Sequence, residues 1–260
     1  MPELPDVEVM RQYAEENLLQ KQIETVHLPG SRVYDSAGST IRGHLLGNSF
    51  TECTRTGKYM FLSISDGYTL VLHFGMTGDV LYYEDERPEY AKLVLDFSDN
   101  SHMAYISKRK LGKVEIVKDA NTFTNQEGLG PDALGLSEEE FISLFQEKQG
   151  GIKSAFMDQS FISGIGNIYA DEILYHAKIH PNTKTTDLTM DVYSEVYSIM
   201  REVLHTAIDC NAAPESFPGP YLIKRREIDK DCGLCSGTIQ KTKVNQRPTY
   251  FCGKHQKEYA

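Results

Sequence analysis

The 260-residue chain has no tryptophan, no low-complexity tract and no apolar run approaching the length of a membrane span. A transmembrane helix needs about 20 consecutive apolar residues, so that class of protein is excluded. The opening MPELPDVE has neither a basic start nor an apolar signal segment, and the expectation is a soluble protein of the cytoplasm. Cysteine is scarce: there are five, an odd number, and three of them fall in the last 29 residues. That distribution fits a secreted disulfide framework poorly, and Cys53 and Cys210 are expected to be buried thiols. Positive charge is also short, with 27 Lys and Arg against 37 Asp and Glu, a net −10 that is the wrong sign for neutralising phosphates. The sum hides a split. Residues 221–260 hold nine Lys or Arg against four Asp or Glu, a local +5, so residues 1–220 carry −15. The tail can meet an anion.

What is present is ordinary globular material, 40% hydrophobic and 25% charged, in a length that suits two modest cores and a small appendage. Over residues 6–20, Val7, Met10, Ala14 and Leu18 recur at roughly helical spacing behind Pro5, Asp6 and Glu8, which suit a helix start. Residues 22–118 read as short β-rich runs, among them YMFLSIS, YTLVLHF and KLVLDFS, separated by Gly, Asp, Ser and Asn turns. Such a segment predicts a β-sandwich or barrel. Residues 128–135 form a Gly/Pro-containing linker, after which Ser137 and Glu140 make a capping box before FISLFQ. Further helices are expected over 152–158, 167–177 and 188–209, the last with Leu188, Val192, Val196, Ile199 and Val203 on one face. The fold class is α+β, divided at 1–130, 131–220 and 221–260.

The tail carries the sharpest signal. Cys232-x2-Cys235 and Cys252-x2-His255 are two ligand pairs, each containing a glycine (Gly233, Gly253), at a spacing suited to one tetrahedral zinc. So apolar-poor a segment cannot build a core of its own, which favours a metal over four unrelated core residues. Four protein ligands leave no position for an activated water, so the ion is expected to be structural and to hold a β-hairpin. Lys241, Lys243 and Arg247 lie between the pairs, as a phosphate contact or as a solvated face.

Five segments in order, PELPDVE, TGKYMFL, HFGMTG, MDQSFISGIGNIYADEILYHAKIHP and the terminal Cys/His pairs, resemble the formamidopyrimidine-DNA glycosylase and endonuclease VIII family over the whole chain. The likeness is closer to the formamidopyrimidine-DNA glycosylase branch. It implies an N-terminal β-sandwich preceded by a helix, a helix-two-turn-helix domain and a zinc-finger β-hairpin, acting as a monomer on damaged double-stranded DNA without a small-molecule cofactor or a membrane. It implies a bacterial-type, nucleoid-associated repair enzyme, both DNA glycosylase and abasic-site lyase. The nucleophile would be the amine of Pro2, exposed when Met1 is removed. A secondary amine attacking an anomeric carbon gives a cationic iminium directly. Glu3 would be the acid/base, and Lys58 would contact phosphate and lesion. Met76, Arg109 and Leu111 would fill the hole left by an extruded nucleotide. Asn167, opening a helix whose neighbouring amides make an anion site, would grip one phosphate together with Arg247. Glu172 would face the catalytic pocket.

The chain departs from the family pattern at five places. Ser107-Lys108-Arg109-Lys110-Leu111-Gly112 stands where Asp-Pro-Arg-Arg-Phe-Gly is usual, so an aromatic wedge becomes leucine. Asp6 replaces a glutamate and His255 a cysteine. A Tyr-Gly-Arg expected before the finger is absent, with Arg226 as the substitute arginine. The segment 211–220, where oxidised-purine enzymes carry a lesion-capping loop, is short and proline-containing. The expected activity is removal of an oxidised base, a purine first. The alternatives are an oxidised-pyrimidine enzyme of the endonuclease VIII type and a non-catalytic damage-binding homologue.

Overall fold

The computed structural model describes residues 1–30 and 32–259 and divides into two compact units, residues 1–2 with 6–128 and residues 3–5 with 129–260. The break after Gly128 falls in the linker expected from composition, and the finger shares a unit with the C-terminal helices.

Helix α1 (Leu4–Leu18) opens the fold, with Val7, Ala14 and Leu18 fully buried along one face. Strand β1 (Ile23–His27) and helix α2 (Gly38–Leu45) follow. Seven more strands complete the first unit: β2 (Phe50–Thr56), β3 (Tyr59–Ile64), β4 (Thr69–His73), β5 (Gly78–Tyr83), β6 (Ala91–Phe97), β7 (His102–Ser107) and β8 (Lys113–Val117). They pair antiparallel as two four-stranded sheets, ordered β1-β6-β7-β5 and β2-β3-β4-β8.

Alternation along the strands makes this a sandwich. Met60, Leu62, Leu70 and Leu72 of one sheet share a core with Leu93, Leu95, Phe97, Met103 and Tyr105 of the other. Each such side chain contributes on the order of 1.5–3 kcal/mol when fully buried. The intervening Phe61 and Val71 face outward and pack on Phe123 of α3 (Ala120–Gln126), whose N-cap Asp119 accepts from the Thr122 amide at 2.7 Å. Two helices thus stand in or beside a region read as strands. In α2, Ile41 and Leu45 sit one turn apart and are fully buried, a pairing that the surrounding alternation masks.

The second unit is helical: α4 (Glu138–Glu147), α5 (Ile152–Met157), α6 (Asn167–His176) and α7 (Met190–Asp209). The capping box starts α4 as expected, with Ser137 Oγ accepting from the Glu140 amide at 3.3 Å and Glu140 Oε2 accepting from the Ser137 amide at 2.8 Å. Phe141, Phe145 and Phe156 interlock at the centre. The buried face of α7 is Tyr193, Val196, Met200, Val203, Leu204 and Ala207, whereas Val192 and Ile199 only flank it and Leu188 precedes the helix. Packing against both α4 and α6 rotates the buried stripe away from the one read from the sequence. Strands β9 (Ile239–Val244) and β10 (Arg247–Cys252) close the chain as a hairpin whose turn, Asn245-Gln246, has φ of 47° and 62°, the two positive angles of a I′ turn. No described helix is long and apolar enough to cross a membrane.

Candidate functional site

The candidate catalytic residues begin at the N-terminus. Pro2 is partly exposed and Glu3 is buried. The two Glu3 carboxylate oxygens accept from the backbone amides of Gly166 at 2.9 Å, Ile168 at 2.9 Å and Tyr169 at 3.1 Å, the orphan donors at the start of α6. The next amide, Leu4, donates to Gly164 O at 2.9 Å. Gly164 has φ of 107°, and a Cβ there would lie 2.5 Å from the Leu4 side chain, so only glycine admits the docked segment. Gln159 braces this loop from behind, accepting from Gly164 N at 3.0 Å and donating to Ile165 O at 2.7 Å. The expectation that the α6 amides form an open phosphate site is therefore corrected: a carboxylate of the chain itself takes three of them.

Lys58 lies in the first unit, buried, in the two-residue turn between β2 and β3. The wedge candidates are brought together on two adjoining loops. Met76 and Leu111 are exposed, 42% and 52%, an uncompensated position for large apolar side chains. Arg109 joins them, its guanidinium 3.0 Å from Met76 Sδ and its amide donating to Thr77 Oγ1 at 3.2 Å. At the root of the first loop, burial together with nearby Lys58 and Lys113 pushes the His73 imidazole down to about 4.

Asn167 and the finger meet directly. Asn167 Nδ2 donates to Pro248 O at 2.9 Å, next to exposed Arg247, while its Oδ1 accepts from Lys153 Nζ at 2.9 Å. Lys153 is fully buried on α5 and forms a 2.7 Å ion pair with fully buried Asp171 of α6. Burial holds the Lys153 ammonium below, and the Asp171 carboxyl above, their ordinary ranges. Asp171 also accepts from the Tyr250 amide at 3.1 Å and from Arg226 at 2.9 Å, and the Arg226 guanidinium lies 4.8 Å over the Tyr250 ring. Lys153 Nζ donates to Thr249 Oγ1 as well. One buried charge network thus ties α5, α6, the hairpin and the turn segment at Arg226 that leads into it. The sequence reading missed Lys153, Asp171 and Thr249; a lysine inside the apolar IKSAFM segment was the available signal.

Two expected roles need correction. Glu172 is fully buried and accepts from the amides of Leu222 and Ile223, both at 2.7 Å, and from His176 at 3.1 Å. It therefore anchors the short helical turn Leu222–Arg225 and is closed off from solvent. Arg226 is mostly buried, and its Nη2 pairs with Asp171. Among the thiols, Cys53 is buried and pushed up to about 12 by that burial, but Cys210 is only half-buried, its Sγ 3.4 Å from Ser216 O at the end of α7.

Cys232, Cys235, Cys252 and His255 place one ligand atom each within 4.8 Å of one another, a set that could hold a metal ion. Cys235 Sγ and Cys252 Sγ are 3.6 Å apart, close to the edge of about 3.8 Å that a tetrahedron with 2.3 Å bonds requires. His255 presents Nδ1 to Cys232 at 3.3 Å while Nε2 faces Tyr175 O at 3.0 Å, the outer partner that orients a metal-bound imidazole. The amides of Leu234 and Gly237 approach the sulfurs of Cys232 and Cys235 at 3.4 and 3.3 Å. The donor set and its surroundings fit a closed four-ligand site.

Residues 1–114 match the formamidopyrimidine-DNA glycosylase N-terminal domain family and residues 128–217 match the formamidopyrimidine-DNA glycosylase H2TH domain family. The chain belongs to the formamidopyrimidine-DNA glycosylase family. A formamidopyrimidine-DNA glycosylase of Desulforamulus reducens is 30% identical over 99% of both chains, and one of Latilactobacillus sakei is 28% identical over 98% of both. Among solved structures, Lactococcus lactis formamidopyrimidine-DNA glycosylase bound non-covalently to DNA containing an abasic site superimposes with a TM-score of 0.88 at 26% identity, covering 98% of this chain and 100% of the other. The wild-type Lactococcus lactis enzyme with DNA containing N7-benzyl-Fapy-dG gives 0.89 at 25% identity, covering 99% and 100%.

Proposed function

We propose that this member of the family excises an oxidised purine from double-stranded DNA through a Schiff base on Pro2 and then cuts the strand. It is a base-excision-repair DNA glycosylase with abasic-site lyase activity. The observation that carries the Pro2 assignment is the docking of the neighbouring residues: Glu3 on three α6 amides and Leu4 on Gly164 O leave the peptide just behind Pro2 no rotational freedom. A nucleophile held in one geometry has its entropy of approach already removed, an advantage worth up to about 7–11 kcal/mol.

Once Met1 is removed, the Pro2 nitrogen attacks C1′ of the damaged nucleotide as the bond from C1′ to the base breaks. The nitrogen loses its proton to the departing base, and cleavage of the C1′–O4′ bond with a proton delivered to O4′ then opens the sugar to the iminium, with no dehydration step. Glu3 serves as the acid/base that assists ring opening and moves a proton, an effect of roughly 10²–10⁴-fold. The iminium acidifies C2′–H, and loss of that proton expels the 3′ phosphate. Lys58 contributes a cation beside that phosphate. Met76, Leu111 and Arg109 enter the stack where the damaged nucleotide leaves it, which exposed apolar side chains offset by restoring contact. Asn167 and Arg247, brought together through Pro248 O, take one backbone phosphate.

Zinc is the metal that two Cys pairs with one His substitution suit, and with all four positions filled by protein it would hold the hairpin rather than supply a hydroxide. A monomer acting on duplex DNA, in the cytoplasm with the nucleoid, completes the proposal. Borohydride reduction tests it. Methionine-processed protein mixed with an abasic-site duplex is expected to give a covalent adduct mapping to Pro2, and the Pro2→Gly variant far less. No adduct from the wild type would overturn the Schiff-base mechanism, and an 8-oxoguanine, formamidopyrimidine, thymine glycol and dihydrouracil panel would reassign the base if the last two were cut preferentially.

A further inference from the structure

Lys58 is buried on a two-residue hairpin turn, and its ammonium is placed only as well as the turn itself is held. The pairing Thr56–Tyr59 leaves Gly57 and Lys58 as the loop, and Gly57 has φ of 57° while Lys58 does not share the positive angle, the glycine-first pattern of a II′ turn. The side chain of Arg55, two residues before Gly57 on β2, folds over this turn. It donates from Nη1 to Gly57 O at 2.9 Å and from Nε to Glu8 Oε2 of α1 at 2.9 Å. The Arg55 side chain is 6% exposed and that of Glu8 15%, so the pair is little screened by solvent. Glu8 in turn accepts from Arg11 at 2.8 Å on the next turn of its own helix. A planar guanidinium can make both bonds at a fixed angle, where an ammonium offers one compact charge.

Resting on the reading of Pro2 as nucleophile, we infer that Arg55, oriented by Glu8, is a positioning residue that holds the Lys58 turn to α1, the helix Pro2 precedes. Pro2 must reach C1′ and Lys58 the adjoining phosphate of one nucleotide, so the spacing between the helix and the turn is part of the catalytic geometry. A misplacement of about 1 Å costs on the order of 10²-fold in rate. Arg55 itself contacts neither base nor sugar in this assignment; it acts through Lys58.

The test compares wild type, Arg55→Lys, Glu8→Gln, Lys58→Ala and the double variant Arg55→Lys/Lys58→Ala. Single-turnover excision and borohydride trapping are read beside the affinity for a tetrahydrofuran-containing duplex and the melting temperature. Arg55→Lys is expected to lose roughly 10- to 100-fold in single-turnover rate with affinity held within about twofold. Glu8→Gln, isosteric, is expected to lose less in the same direction. The double variant is expected to be no slower than Lys58→Ala, because residues acting as one unit are non-additive. An equal rate loss in the presence and absence of Lys58, or an unchanged rate in both single variants, would overturn the inference. If the wild type forms no adduct, the Pro2 reading falls and this inference with it.

Discussion

Carboxylates of one kind do two different jobs within a few residues of each other in space along α6. Glu3 meets the first amides of the helix and Glu172 meets the amides of Leu222 and Ile223, so each is saturated by backbone donors. What separates them is chain position: Glu3 is bonded to Pro2, while Glu172 is sealed in the interior. The same logic of burial governs His73. Its folded value of about 4 lies below the 6.5 of an unfolded histidine, with burial the largest cause. Between those values the unfolded chain binds a proton that the folded one refuses. The stability owed to neutral His73 is therefore complete above about pH 6.5 and is lost as pH falls toward 4, roughly 3 kcal/mol at most. Melting temperature against pH should fall less steeply through that window in His73→Gln than in wild type. Parallel curves would rule the histidine out as a source of acid sensitivity.

At the scale of elements, the hairpin β9–β10 depends on anchors outside itself. Its own core is Ile239 with Cys232 and Cys252, completed by Tyr175 of α6 and Leu222. So small a cluster is marginal without a metal, and binding free energy at such a site acts as folding free energy. Chelation, or Cys235→Ser, is expected to abolish hydrogen-exchange protection over Ile239–Cys252 while leaving the α7 amides protected. The Lys153–Asp171 network would then lose its Thr249 and Tyr250 partners, and DNA affinity should fall with the protection. Retained hairpin protection after complete metal removal would show that the side-chain packing suffices alone.

For the whole molecule, charge is distributed rather than summed. A net −10 coexists with +5 in the last forty residues, and Arg247 stands exposed beside the Asn167–Pro248 contact. Each phosphate neutralised adds close to one unit to the salt dependence of binding. Arg247→Ala is expected to weaken binding to every lesion alike and to lower the slope of log affinity against log salt by about one, measured by fluorescence anisotropy on several duplexes. An unchanged slope would remove Arg247 from the phosphate contact.

Periodicity and spacing carried much of this protein. The sandwich strands, the capped start of α4, the helices near α5, α6 and α7 and the Cys/His ligand set were legible because each depends on neighbours in the chain: side chains alternate, caps lie three residues away, and ligand pairs share one tight turn. Helix α2 was not, since two buried residues one turn apart are too few to stand out among strands. Pro2, Lys58, Met76 and Arg247 were singled out through motif likeness, which names residues without showing what holds them. Only the tertiary structure decided that Glu3 caps α6, that Glu172 anchors the turn at Leu222, that Arg226 pairs with Asp171, that Lys153 reaches Thr249 and that Arg55 pairs with Glu8. Those assignments join residues more than forty positions apart, and the free energy of such a contact lies in burial and hydrogen-bond geometry, which a linear pattern does not contain.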